Sequence, residues 1–188
     1  HTIVYRSTML PGSTAGIIQK LEKLSRRRAG RDFGIVFNPE FMREGSAVDD
    51  FFRPPKTVYG ATDIKASKVL RDMYSFSDAV VFELEIEEAE LVKYVDNAYH
   101  ALKVSFANEI GRISKNLGID GKTIMNVFRS DKKLNISESY LTPGFAYGGS
   151  CLPKDLRAIN QFSSNLVKTP VLESIEESNE MHLNYGKK

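Results

Sequence analysis

The sequence predicts two successive architectures: an α/β half with a parallel sheet and crossover helices to about Glu83, then an all-α half. Three observations predict this. Up to Glu83, short β-branched and aromatic runs alternate with segments of helical spacing, the pattern of a parallel sheet. An acidic run at Glu85, Glu87, Glu88 and Glu90 then opens an apolar series from Val92 to Leu117 that steps by threes and fours. Beyond Gly118 only helix-spaced segments remain, apart from a stretch rich in Gly, Ser and Asn.

Ile3-Val4-Tyr5 reads as the first strand, closed by the turn-forming cluster Pro11-Gly12-Ser13-Thr14. Ile17, Ile18, Leu21 and Leu24 give the following segment, from Ala15 to about Leu24, the spacing of a helix. The basic run Arg26 to Arg31 suits the negative end of that helix, with Gly30 expected just past it. Phe33–Phe37 is a short apolar run that predicts a buried strand, and Thr57–Gly60 predicts another. Asp63 is expected to cap a helix carrying Ala66, Val69, Leu70 and Met73, and Ala79–Phe82 predicts a further strand.

The acidic residues after Glu83 suit the first turns of a helix. With no proline inside it, that helix should run about 30 residues, or about 45 Å. Such a length predicts that it spans between domains or packs against a second subunit. Asp120–Arg129 predicts a short helix, 130–150 a loop, and Pro153 to about Asn165 and Pro170 to about Tyr185 the closing helices.

A chain of 188 residues can bury a core without disulfide or metal staples. Lys and Arg number 26 against 24 Asp and Glu, a net charge of +2. That balance argues against nucleic acid or an anionic membrane as the main partner. No apolar run approaches a membrane span. The single cysteine excludes an intrachain disulfide and a Cys-rich zinc site, so no metal is expected and a reducing cytoplasm is the expected location. The chain opens on His1 without a basic and apolar leader; it is expected to begin inside a domain.

The most informative stretch is Gly148-Gly149-Ser150-Cys151-Leu152-Pro153-Lys154-Asp155. Pro153 suits the first position of a helix, which puts Cys151 at or just before a helix N-terminus, where the partial positive charge favours thiolate. Lys154 adds a cation, so Cys151 is a candidate nucleophile. Asp155, at i+4, suits either water positioning and proton acceptance or a simple answer to the helix dipole.

Asn38–Gly45 follows the strand at Phe33–Phe37, and parallel sheets gather their sites outside the carboxyl ends of strands. Glu40 and Glu44 would share one face of a helical turn and could serve as acid or base. Taken alone, the pair reads more simply as two exposed glutamates beside Arg43. Lys93, Asn97 and His100 share one face of the long helix, with Asn108 further along. An ammonium and an amide on a rigid face can hold a developing oxyanion; a solvated polar stripe is the plainer alternative, and His100 reads as a partly buried packing residue. Thr8, past the first strand, could meet a cofactor or water.

Taken together, Ser7-Thr8-Met9-Leu10-Pro11-Gly12, Asn38–Gly45, Lys93 with Asn97, and Phe145-Ala146-Tyr147-Gly148 through Asp155 resemble the nucleotide-sugar 6-dehydrogenase family, which includes UDP-glucose and GDP-mannose dehydrogenases. The resemblance covers essentially the whole chain, and Tyr99–Glu109 and Lys133–Ser137 lean toward the GDP-mannose branch. It implies the C-terminal part of a Rossmann-like NAD-binding domain over residues 1–84, then a long-helix dimerisation and catalytic domain over 85–188, the chain being a central fragment. The implied reaction is a two-step oxidation of a sugar C6 alcohol to a carboxylate, with the nucleotide sugar as substrate and a homodimer formed through helix 85–118. The implied roles are Cys151 as nucleophile, Lys93 and Asn97 at the oxyanion, and Glu44 as base with Glu40 nearby. Asp155 and Thr8 would position water, and Thr8 and Lys154 would meet the cofactor. Substrate would be lined by Glu44, Lys93, Asn97, His100, Asn108, Tyr140, Phe145 and Gly148. The family's G-x-G-x-x-G pyrophosphate loop does not occur in these 188 residues. The cofactor site is therefore expected to be incomplete and the chain alone inactive. The alternatives are a UDP-glucose-type enzyme, a non-enzymatic helical dimerisation remnant and a thiol hydrolase using Cys151 with His100.

Overall fold

Ile35, Val36 and Phe37 are completely buried, as the apolar run at Phe33–Phe37 predicts, and they form the centre of the first unit. The computed structural model describes residues 1–43, 45–137, 145–149 and 151–185, without the side chains of Asp155 and Tyr185. The chain forms two compact units, His1–Ala98 and Tyr99–Lys188.

The first unit contains β1 (Thr2–Tyr5), α1 (Ser13–Ser25), β2 (Gly34–Phe37), α2 (Ala47–Phe52), β3 (Thr57–Ala61), α3 (Ile64–Met73), β4 (Val81–Leu84) and the start of α4 (Ile86–Asn116). The strands lie in the order β1-β2-β3-β4. β1 pairs parallel to β2 with Thr2 opposite Gly34, and β3 pairs parallel to β4 with Thr57 opposite Val81. β2 and β3, however, run antiparallel, with Val36 opposite Ala61 and Phe37 opposite Gly60. The expected parallel sheet is therefore mixed. Full crossover helices, α1 and α3, join the two parallel pairs, whereas the helix described between β2 and β3, α2, has only six residues; a chain that turns back without a crossover pairs antiparallel.

The pleat sends alternate residues to opposite faces. Val36 and Tyr59 meet Ala66 and Leu70 of α3 on one face, while Phe37 and Val58 meet Ala89 of α4 on the other. Gly60 is required at the second contact, because a Cβ there would lie 2.5 Å from Ile86 Cα. Asp63 caps α3 as expected, accepting from the Lys65 and Ala66 N–H groups at 2.9 and 3.0 Å. Gly30 does not close α1. The helix ends on Arg26 in the left-handed region, and the Gly30 N–H bonds the Phe33 carbonyl in the turn before β2.

One reading of the acidic run changes. Glu90 is no solvent-facing first-turn acid; it is wholly buried and caps another helix. Its Oε1 accepts from the Thr14 N–H at 2.8 Å and the Thr14 hydroxyl at 2.6 Å, and its Oε2 accepts from the Gly12 N–H at 2.6 Å. The carboxylate thus satisfies amides that α1 cannot satisfy itself. In the second unit, buried Glu109 does the same for a later helix, accepting from the Val171 and Leu172 N–H groups at 2.9 and 3.1 Å.

The second unit holds the rest of α4, 31 residues in all, then α5 (Gly121–Ser130), α6 (Cys151–Ser164) and α7 (Pro170–Tyr185). Asp120 caps α5 through the Lys122 N–H at 3.0 Å and the Thr123 hydroxyl at 2.7 Å. α6 and α7 are tied by Asn160 Nδ2 donating to the Leu172 carbonyl at 3.2 Å, by Ser163 and Thr169 hydroxyls 2.9 Å apart, and by an Arg157–Glu176 ion pair. Among the described residues no helix is long and apolar enough to cross a membrane.

Candidate active site

In the first unit, β1 and β2 are parallel neighbours, so the loops that follow them leave the same edge of the sheet. Thr8 is exposed in the first of these loops. The second loop, from Asn38, is anchored by Asn38 itself, whose Nδ2 donates to the Val58 carbonyl and whose Oδ1 accepts from the Tyr74 hydroxyl, both at 2.8 Å. Residues 38–43 are not helical, so the helical turn expected to carry Glu40 does not form there; Pro39 disfavours helix at the residue before it. Glu44 lies outside the described residues.

Glu40 is not an isolated surface carboxylate. Its Oε2 accepts from the Met42 N–H at 2.7 Å and its Oε1 lies 3.3 Å from Lys93 Nζ. Lys93 is 8% exposed; its ammonium donates to the Glu40 carbonyl at 2.6 Å and sits 5.4 Å from the Phe41 ring centre. At Lys93 the plainer alternative of a solvated stripe does not hold: the β2 loop closes over it, because a cation leaving water needs oxygen partners and the loop supplies them. Arg43 pairs with Asp50. The ion pair is forked, at 2.7 and 3.1 Å, and the Arg43 N–H adds a third bond at 2.8 Å. This guanidinium, with the backbone N–H, holds the Asp50 carboxyl well below the usual carboxylate range. Asn97 is exposed on α4.

In the second unit, His100 is exposed rather than partly buried, since the neighbouring turns of α4 at this point carry exposed residues too. Asn108 is also exposed. Cys151 is exposed and is the first residue of the 14-residue α6, as expected. Pro153 is third in the helix, not first; a first-turn N–H has no intrahelical acceptor, so proline is tolerated at either position. Lys154 is exposed in the same turn, and Asp155 belongs to α6 with its side chain outside the described set. Gly149 has φ +81°, a backbone turn that a side chain would oppose, and Gly148 has open space about it. Phe145 is fully exposed, and Tyr140 lies outside the described residues. Tyr147 is pinned to α7 by Asn179, through bonds of 2.8 and 3.0 Å.

The sequence reading missed Asp50, Glu90 and Asn179 as organising residues. Glu90 carried no local signal, because its partners Gly12 and Thr14 lie 78 and 76 residues away along the chain. Asn179 carried none, because its partner is a backbone unit 32 residues away.

The same geometry tests the dinucleotide site. A pyrophosphate would seek open N–H groups at a helix start following a strand. At α1 those of Gly12 and Thr14 already face the Glu90 carboxylate, which repels a second anion. The start of α1 therefore offers no open pyrophosphate cradle. Among the described residues no group of three or more His, Cys, Asp and Glu side chains could hold a metal ion.

Residues 1–78 match the model of the UDP-glucose/GDP-mannose dehydrogenase family NAD binding domain, and residues 87–181 match that family's central domain. The chain is 49% identical over 182 residues to the GDP-mannose 6-dehydrogenase of Pseudomonas putida, covering 96% of this chain and 42% of that protein. It is similar to the crystal structure of a ternary complex of GDP-mannose dehydrogenase from Pseudomonas aeruginosa, with TM-score 0.94 and 47% identity over 97% of this chain and 42% of that one. It is also similar to a UDP-glucose dehydrogenase from Pyrobaculum islandicum, with TM-score 0.65 and 38% identity over 96% of this chain and 41% of that one. The chain thus spans about two fifths of the length of these relatives. With both domain models matched in order along it, the chain belongs to the UDP-glucose/GDP-mannose dehydrogenase family.

Proposed function

We propose that this chain carries the thiol centre of an NAD-dependent nucleotide-sugar 6-dehydrogenase, which oxidises the C6 alcohol of GDP-mannose to the carboxylate of GDP-mannuronate. The observation that carries the reading is Cys151, the sole cysteine, exposed as the first residue of α6 in a chain half identical to GDP-mannose 6-dehydrogenases. Residues 1–84 are read as the C-terminal portion of the cofactor domain and 85–188 as the central catalytic and dimerisation domain.

Cys151, at the start of α6, supplies the attacking sulfur. The thiolate adds to the C6 aldehyde to give a thiohemiacetal, loss of hydride gives a thioester, and water cleaves it to the acid and the thiol. Going from alcohol to acid releases two hydrides, which NAD accepts when bound. Lys93 and Asn97 stabilise the oxyanion; Lys93 enters this role already desolvated and oriented by the β2 loop. Glu44 is the base for thioester hydrolysis with Glu40 beside it, and Thr8 and Asp155 position the water. Thr8 and Lys154 face the cofactor, and His100, Asn108, Tyr140, Phe145 and Gly148 line the substrate with Glu44, Lys93 and Asn97. Because α1 offers no free pyrophosphate cradle, the 188-residue chain alone does not turn over. The exposed apolar residues Val95, Leu102 and Val104 on α4 support a homodimer through that helix.

The test is a chimera of the Pseudomonas aeruginosa enzyme in which residues 1–188 replace the matching stretch. It should form NADH with GDP-mannose, and Cys151→Ser should abolish this. Turnover with UDP-glucose instead would move the assignment to the UDP-glucose branch. A folded chimera inert toward both would refute the proposal.

A further inference from the structure

An ammonium that is to hold an oxyanion must stay where the oxyanion forms, and the own helix of Lys93 offers it a competing carboxylate. Asp96 lies three residues on, and opposite charges at that spacing are neighbours on a helix surface. A lysine drawn along α4 to Asp96 would leave the β2 loop. In the structure Lys93 Nζ instead donates to the Glu40 carbonyl at 2.6 Å, with Glu40 Oε1 3.3 Å away.

Asp96 is occupied from another element. Lys56, directly before β3, sets its ammonium 3.0 Å from Asp96 Oδ1 and 2.8 Å from Oδ2. The two side chains are 29% and 25% exposed, so water and salt screen this pair less than a surface ion pair. The Lys56 ammonium also lies 4.8 Å from the centre of the Phe41 ring, the same ring that Lys93 approaches at 5.4 Å. Two cations on one ring repel each other unless each has its own anion. Asp96 answers Lys56 and Glu40 answers Lys93, so the four charges balance. Without Lys56, the Asp96 carboxylate would stand unpaired in a partly buried place and seek another cation. Lys93, one helical turn away, is within its reach.

We infer that Lys56 is a positioning residue for Lys93: by holding Asp96, it keeps that carboxylate from drawing the Lys93 ammonium away from the β2 loop. The inference rests on the reading of Lys93 as an oxyanion donor and deepens it.

The experiment uses the Pseudomonas aeruginosa chimera carrying residues 1–188, with GDP-mannose and NAD, and circular dichroism confirms that each variant folds. Lys93→Ala sets the scale and should lower kcat by about a hundredfold or more. Lys56→Met should lower kcat about tenfold, a partial loss of the same donor, and leave the KM for NAD unchanged. Lys56→Arg, which keeps a cation for Asp96, should follow wild type. The deciding variant combines Lys56→Met with Asp96→Asn. It breaks the ion pair just as fully but removes the competing carboxylate, so kcat should return to within about twofold of wild type. A merely structural ion pair predicts no recovery, because the double variant lacks it too. With Lys93→Ala impaired, an unchanged kcat in Lys56→Met, or no recovery in the double variant, would overturn the role of Lys56 alone. An unimpaired Lys93→Ala would overturn the oxyanion role of Lys93 and that of Lys56 with it, leaving the Cys151 reading in place. A folded chimera inert without any substitution would overturn all three. Should Lys56→Met not fold, Lys56→Gln, also uncharged, carries the same comparison.

Discussion

Replacing Glu90 with alanine removes the acceptor for three donors at once: the Gly12 N–H, the Thr14 N–H and the Thr14 hydroxyl, at 2.6, 2.8 and 2.6 Å. Glu90 and Thr14 are completely buried, so water does not replace the carboxylate without opening the structure. An unsatisfied buried donor costs roughly 1–3 kcal/mol, and partial water entry reduces the sum, so a loss of about 3–5 kcal/mol is expected. Glu90→Gln keeps one acceptor oxygen but turns an amide N–H₂ toward a donor, for a loss of about 2 kcal/mol. Domains of this size are stable by about 5–15 kcal/mol, so the alanine variant should be visibly weakened but still folded. Urea unfolding followed by circular dichroism measures the loss, and hydrogen exchange at the Gly12 and Thr14 amides localises it. A double-mutant cycle with Thr14→Ala should show a coupling of about 1–2 kcal/mol. An alanine variant within about 0.5 kcal/mol of wild type, or unchanged exchange at those two amides, would refute the capping role.

Two further predictions concern charge and assembly. The Asp50 carboxyl is held low in the folded chain by Arg43, so the stability it contributes is complete above the ordinary aspartate range and is lost as pH falls through the lowered folded value. Asp50→Asn should therefore lower the thermal midpoint at neutral pH, with the gap to wild type closing on acidification; parallel curves would refute this. Leu102 is exposed on α4, and Leu102→Asp should convert a dimer of the chain to monomer in sedimentation equilibrium. A wild-type monomer, or an unchanged mass in the variant, would remove α4 as the interface.

Much of the element order follows from local patterns. Asp63 and Asp120 cap the helices they precede, Pro170–Tyr185 is helical as its spacing predicts, and the 31-residue α4 matches an apolar series unbroken by proline. These features depend on residues within a few positions of one another, which the chain order already brings together. Boundaries were less legible. β4 begins at Val81 rather than Ala79 because its start is set by pairing with Thr57, a contact that no local pattern contains. The α2 turn was missed for a related reason: its six residues are too few to show a period.

The candidate site divides along the same line. The octapeptide Gly148–Asp155 and the position of Cys151 at a helix start could be read from the sequence, because glycine, proline and a helix dipole act over one turn. The sequence by itself also determined the family, through motifs whose order and spacing are linear properties. Only the tertiary structure decided that β2 and β3 run antiparallel, that Lys93 is closed over by Glu40, that Arg43 answers Asp50, and that Glu90 and Asn179 serve backbone donors and acceptors far along the chain. Such partnerships are chosen by which polar groups the packing strips of water. A buried charge or amide must find its partner across space, and a linear sequence does not record that distance.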